Sequence, residues 1–227
     1  VIADHCQQDT VDRLSQYPIT VLTPNFEESL KAKSLKYAMD CIAPRKYDIV
    51  VILDADNTVD ASFLHVINDC YEAGSMAIQA HRVAKNRNTE TALLDAIFEE
   101  INNAIFRRGH ISCGLSAALA GSGTVFDFNW YKTNVMRAKT AGEDKELEAL
   151  LMRQDIFVDY FDDIYVYGEK KRTTSTLNEQ RGRWATQQFS NLFKNIRYLP
   201  GAIFRKQYNL ADKLIQWMLV PRTNMIG

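Results

Sequence analysis

The sequence predicts an α/β fold, a mostly parallel sheet flanked by helices, on three observations. Short apolar runs of strand length recur at 1–4 (VIAD), 19–22 (ITVL), 48–53 (DIVVIL) and 75–80 (SMAIQA). Helical patterns separate them, and strand, helix, strand in this rhythm means parallel strands covered by helices. Three acids, Asp4, Asp54 and Asp56, fall at the ends of the runs. In such sheets loops and helix N-termini converge beyond the carboxyl ends of the strands, which is where ligands bind.

The elements follow in order. A helix over 29–42 places Leu30, Leu35, Ala38 and Ile42 at helical spacing, and one over 61–73 stops at Gly74, a residue suited to ending helices. A longer pattern over 89–108 carries Leu93, Leu94, Ile97, Phe98, Ile101 and Ile105. It leads into GHISCGLSAALAGSGTVF, and then a helix opens at Glu143 and Asp144 in AGEDKELEALLMR. DIFVDYF and DIYVYGE read as two short strands, followed by the basic segment EKKRTTSTLNEQRGRW. Two helices close the chain: one with Phe189, Leu192, Phe193 and Ile196 at helical spacing, the other ending in Trp217, Met218, Leu219 and Val220 before Pro221. The expected division is a domain over 1–175 and a terminal segment over 176–227.

Composition narrows the function classes. With 27 basic and 28 acidic residues among 227, the net charge of −1 offers no global field for nucleic acid or an anionic membrane. Cys6, Cys41, Cys70 and Cys113 are widely spaced and form no CxxC, so the expectation is reduced thiols, buried or idle, in a reducing compartment. No stretch reaches about 18 consecutive apolar residues, the length a membrane span needs.

Four stretches carry candidate chemistry, each with two readings. Asp54 and Asp56 stand two apart on an extended segment, so their side chains point the same way, roughly 6–7 Å apart along the strand. They suit Mg²⁺, which takes one or two carboxylates and leaves the rest to phosphates, or they end the strand in an Asx-type turn. Glu143 and Asp144 open an amphipathic helix, where acids are favourable for electrostatic reasons alone. QRGRW at 180–184 sets an amide, two guanidiniums and an indole within five residues. That suits phosphate beside a sugar-stacking platform, or an exposed helix start with one buried Trp. GSG at 121–123 is a flexible loop lacking the rest of a P-loop or dinucleotide fingerprint.

Their order, Asp-x-Asp, Gly-Ser-Gly, Glu-Asp, Gln-x-x-Arg-Trp, resembles the family 2 glycosyltransferases, and within them the cellulose-synthase-like and poly-N-acetylglucosamine-synthase-like membrane enzymes. VIADHCQQDT and KAKSLKYA are similar to further segments of that family, the second with Ala32 and Ser34 substituted. The resemblance implies a GT-A, Rossmann-like fold with C-terminal amphipathic interfacial helices. It implies a UDP-sugar donor, a glycan or lipid-linked acceptor, Mg²⁺ or Mn²⁺, inversion at the anomeric carbon, and a catalytic domain at the cytoplasmic face of a membrane. Asp4 would meet the uracil and Lys31 would lie near the nucleotide. Asp54 would contact the nucleotide or a metal-bound water, and Asp56 would ligate the metal. Asp144 would be the general base with Glu143 beside it. Gln180, Arg183 and Trp184, with Ser122 and Gly123 of the glycine loop, would hold the diphosphate and the acceptor. The family's first strand-helix unit, expected between the strands near 1–4 and 48–53, would precede residue 1, and membrane spans would follow DKLIQWMLVPR, so a fragment of a longer protein is expected. Two rival readings are a sugar-nucleotide nucleotidyltransferase and an inactive nucleotide-sugar-binding domain.

Overall fold

The structure, a computed structural model, describes residues 1–138, 142–170 and 174–219, the side chains of 174–180 excepted. Its elements are α1 (Gln8–Leu14), α2 (Lys31–Cys41), β1 (Ile49–Ile52), β2 (Thr58–Val59), α3 (Phe63–Glu72), β3 (Ala77–Ala84), α4 (Glu90–Asn102), α5 (His110–Ser112), β4 (Thr124–Asp127), α6 (Phe128–Val135), α7 (Glu143–Arg153), β5 (Asp159–Gly168), α8 (Thr174–Asn195), α9 (Leu199–Phe204) and α10 (Tyr208–Met218). A π-helical stretch, Asn103–Gly109, joins α4 to α5, and a 3-10 turn, Ile196–Tyr198, joins α8 to α9.

The α/β class holds, and the ladder is mixed. The strand order is β1-β4-β3-β5-β2. β3 and β5 pair in parallel, whereas β4 runs antiparallel to both β1 and β3, and β2 antiparallel to β5. β1, β3 and β5 therefore share one direction. β4 opposes them because the chain enters it from their carboxyl edge, through residues 117–123. This insertion places the site: Ile52, last in β1, faces Thr124, first in β4, so the residues after β1 lie beside those before β4.

Three expectations change in detail. The runs at 1–4 and 19–22 form one parallel bridge, Ile2 with Leu22, outside the five-stranded sheet. The two short strands at 155–169 fuse into β5, with residues 162–164 bulged out between the partners of Ala80 and His81. The helix over 89–108 widens after Asn102 into the π-helix, which turns the polar Asn103 and Arg107 inward. All four cysteines are free, but Cys6, Cys41 and Cys113 are exposed and Cys70 is only partly buried.

The period-2 alternation of the strands sorts the core into two layers. Val125, Ile78 and Ala80 face α3, whose Phe63 and Ile67 cover that side. Phe126 and Ala77 face the other way, into a larger cluster with Leu147, Leu151 and Met152 of α7 and Leu214 and Trp217 of α10. Each fully buried apolar side chain contributes about 1.5–3 kcal/mol. One face of α10 packs on this cluster, while Ile215 and Met218 on the other face are exposed.

A carboxylate sits inside that larger layer. Glu148 of α7 and Lys213 of α10 are each 1% exposed and 3.2 Å apart. Lys145 lies 3.2 Å from the same carboxylate, which also accepts the Leu119 N–H at 2.9 Å. Burial alone would raise the Glu148 pKa, but the two ammoniums and the backbone donor more than offset it and hold it at about 2. Glu148→Gln removes the charge that neutralises both lysines. Urea unfolding at neutral pH is expected to show a loss of about 3 kcal/mol, and an unchanged midpoint would mean that water already screens the pair.

Candidate functional site

α2 begins at the carboxyl edge of the sheet and brings two predicted residues there. Asp4 accepts from Ser29 Oγ at 2.5 Å and Ser34 Oγ at 2.9 Å, with His5 Nδ1 3.1 Å away. The Ser29 hydroxyl is the main cause of its lowered pKa, opposed by burial and helped by Ser34 and His5. Lys31, first in α2, reaches across to β1: its Nζ donates to Asp54 Oδ1 at 2.5 Å and to the Gly121 carbonyl at 2.5 Å, and lies 3.9 Å from Glu143 Oε1. One ammonium thus joins four segments distant in sequence.

The turn after β1 is pinned from several directions. The Asp54 N–H donates to Ser122 Oγ at 3.0 Å and to Asn57 Oδ1 at 3.2 Å, while Ser122 Oγ donates to Asn57 Oδ1. Asn57 Nδ2 donates to Asp56 Oδ1 at 2.9 Å, and Lys85 Nζ, just past β3, donates to the Asp56 carbonyl. Gly123 adopts φ +68°, and a Cβ there would meet Val166 Cγ2 at 3.3 Å, so only glycine lets the loop lie this close to β5. Asp56 itself is exposed. The Asx-turn and metal readings are compatible here: Asn57 and Ser122 build the turn that holds the Asp56 carboxylate at the rim.

Glu143 and Asp144 open α7, and adjacency sends them to different surroundings. Glu143 is 5% exposed and its pKa is raised to about 7, by burial first and Asp144 second, with Lys31 opposing. Asp144 is only partly buried and lines a cleft of about 180 Å³ together with Gly121, Phe98, Trp184 and Trp217. Trp184 is 45% exposed, an indole face offered to the cleft rather than a core residue. Arg183 is exposed on α8 and lies off this lining. Arg181 stacks instead over the Phe98 ring, 4.6 Å from its centroid. Gln180 belongs to α8, but its side chain lies outside the described residues.

The cleft floor is charged in a way the sequence did not announce. Glu99 lies 2.9 Å from Arg107, 3.0 Å from Lys170 and 3.4 Å from Arg82. Burial would raise its pKa, yet the three cations hold it far below the usual carboxylate range. Arg107 also donates to the Ala118 carbonyl at 3.3 Å, tying the floor to the irregular segment that leads to Gly121. These partners come from β3, the π-helix and the residues just after β5, so no local spacing marks them.

Asp54 and Asp56 fit a divalent cation in one particular sense. Among the described residues no group of three or more His, Cys, Asp or Glu side chains could hold a metal ion by itself. Asp54 already bonds Lys31, which leaves the exposed Asp56 carboxylate as the better ligand. One or two carboxylates with a diphosphate supplying further oxygens is the usual arrangement for Mg²⁺.

Glu143 gives the site a pH signature. Its folded pKa lies above the ordinary value of 4.5, at about 7, so between those values the folded chain keeps a proton the unfolded chain has lost. Its contribution to stability therefore falls as pH rises through that window, by on the order of 3 kcal/mol. Glu143→Gln removes this term. Urea unfolding in chelator is expected to show the variant gaining on the wild type as pH rises across the window; a pH-independent difference would mean the carboxyl is ionised throughout.

Comparison with known proteins accords with this geometry. Residues 49–224 match the family described as Glycosyl transferase family group 2. No curated protein matches the chain. Among solved structures, a mannosyltransferase from Pyrobaculum calidifontis in complex with GDP-Man and Mn²⁺ superposes with a TM-score of 0.61 at 13% identity, over 96% of this chain and 64% of that one. A mycobacterial protein gives 0.52 at 15% identity, over 78% of this chain and 58% of its own. The chain thus spans less than two thirds of either structure, and at these identities the likeness is one of fold. The sheet, the order of the motifs and the family match together lead to one conclusion: this chain belongs to the family 2 glycosyltransferases.

Proposed function

We propose that the chain forms the catalytic part of a membrane-associated, metal-dependent inverting glycosyltransferase. It moves a sugar from a UDP-sugar to a growing glycan or lipid-linked acceptor, in the synthesis of a β-linked polysaccharide. One observation carries the reading: Gly121 is a shared wall. Its carbonyl holds Lys31, the cation beside Asp54, and the same residue lines the cleft with Asp144 and Trp184. A diphosphate at the Lys31–Asp54–Asp56 rim and an acceptor hydroxyl in the cleft would meet at Gly121.

The roles follow from the surroundings. Lys31 supplies a positive charge beside the leaving diphosphate, and Mg²⁺ or Mn²⁺ held by Asp56 would neutralise more of the charge that develops there. Asp144, the more accessible acid, takes the proton from the acceptor hydroxyl, and a single base with single displacement gives inversion. Glu143, buried behind it, holds Lys31 in line. Trp184 offers a sugar ring a flat apolar face. Asp4 awaits a donor base at the start of α2. The GDP-Man and Mn²⁺ named with the Pyrobaculum structure accord with a sugar-nucleotide donor and a divalent cation in this fold.

Membrane association is supported by exposed apolar side chains around the terminal helices, Phe193, Ile203, Phe204 and Ile215, which suit an interfacial position for those helices. Among the described residues no helix is long and apolar enough to cross a membrane. The free cysteines accord with a reducing, cytoplasmic face.

Two measurements test the reading. Assayed for nucleotide release over a panel of UDP-sugars and GDP-mannose, Asp144→Asn is expected to lose at least about 100-fold in transfer while donor affinity stays within about twofold; near-normal turnover would remove Asp144 from the role of base. Asp56→Ala is expected to abolish the response of activity to added Mg²⁺ or Mn²⁺. Unchanged wild-type turnover in chelator would sink the metal role, and release of pyrophosphate in place of the nucleoside diphosphate would favour nucleotidyl transfer.

A further inference from the structure

A second cleft, of about 360 Å³, lies between α7 and the end of α8 and shares no lining residue with the first. Asp144 and Glu146 stand two apart on α7 and so point to opposite sides of the helix. Asp144 faces the cleft already described, and Glu146 this one. Three helices end here, each bringing basic residues: Arg137 just after α6, Arg153 at the end of α7, Lys194 and Arg197 at the end of α8 and in the turn beyond it.

Cations at helix C-termini are favourable by themselves, which accounts for one at each end. It does not account for Tyr198. The Arg153 guanidinium lies 4.4 Å from the Tyr198 ring centroid and that of Arg197 4.9 Å, with Arg197 Nη2 also donating to Tyr198 Oη at 3.0 Å. One ring thus gathers two like charges. Among the described lining residues Glu146 supplies the single carboxylate, and Lys194 engages it at 3.3 Å. Among the described residues neither Arg137 nor Arg153 nor Arg197 has an ion-pair partner. Three guanidiniums beside one carboxylate that a lysine engages are matched by an oxyanion that accepts several charge-assisted hydrogen bonds at once.

We propose that this cleft binds a phosphate ester through Arg137, Arg153 and Arg197. The shared chemistry is the phosphate, carried either by an anionic lipid headgroup or by a soluble phosphorylated metabolite. The headgroup has the stronger placement: the turn that bears Arg197 and Tyr198 runs straight into α9, whose Ile203 and Phe204 are 59% and 87% exposed.

The test uses glycerol 3-phosphate in calorimetry, and flotation with phosphatidylcholine vesicles with or without about one-fifth phosphatidic acid. Lys31→Met is the control that disables phosphate binding at the donor rim. Expected is binding of glycerol 3-phosphate that falls about tenfold or more in Arg153→Gln/Arg197→Gln and persists in Lys31→Met. Capture by acidic vesicles alone, lost in the double variant, assigns the headgroup; calorimetric binding without vesicle capture assigns the soluble ester. If the double variant does not fold, exposed Arg137→Gln is read in its place and must weaken binding. Failure of the wild type to bind either probe, wild-type affinity in the variants, or loss of binding in Lys31→Met overturns the proposal.

Discussion

The buried Glu148 carboxylate is the constraint on which the rest of the arrangement depends. It binds Lys145 of its own helix, Lys213 of α10 and the Leu119 N–H of the segment that leads to the glycine loop. An isolated charge at that depth would be untenable, so all three partners must be present together. Their joint requirement sets α7 against both α10 and residues 117–121. The first turn of α7 bears Glu143 and Asp144, and Gly121 is the wall they share with Lys31. A salt bridge in the apolar layer thereby orients acids that do not touch it.

The second geometric cause is the reversed strand. Had β4 run parallel to β1, its glycine loop would lie at the far edge of the sheet. Running antiparallel, it delivers Gly121, Ser122 and Gly123 beside Asp54. The carboxyl ends of β3 and β5 arrive at the same rim, where Lys85 holds the Asp56 carbonyl and Gly168 passes so close to Asn57 that a Cβ would lie 3.1 Å from its Nδ2. The rim is therefore held by backbone, amide and lysine contacts, with Asp54 engaged by Lys31 and the Asp56 side chain exposed.

Two acids in this region respond to desolvation in opposite ways. Glu99 faces three cations and stays ionised; Glu143 faces one ammonium at 3.9 Å and an adjacent Asp144, and its pKa rises to about 7. Desolvation acts on both, and the local charge count decides the outcome. The cleft thus has a charged floor, and behind Asp144 a buried acid that can titrate near neutrality.

Much of this could be read along the chain. The apolar run before Asp54, the rhythm of strands and helices, and the order of Asp-x-Asp, Gly-Ser-Gly, Glu-Asp and Gln-x-x-Arg-Trp are local or sequential facts, and they were enough for the α/β class and the family. Periodicity reports burial but says nothing of strand direction, so the antiparallel β4 and the fusion of two runs into β5 were not legible. Nor was the charged floor: Glu99, Arg82, Arg107 and Lys170 come from α4, β3, the π-helix and the residues after β5, and only packing shows that they meet. Trp184 and Arg183 are neighbours in sequence, but the helix turns one into the cleft and the other to solvent. The sequence by itself determined which chemistries are present and in what order. Tertiary structure alone decided which carboxylate keeps its charge, because that depends on the cations and the solvent each one meets.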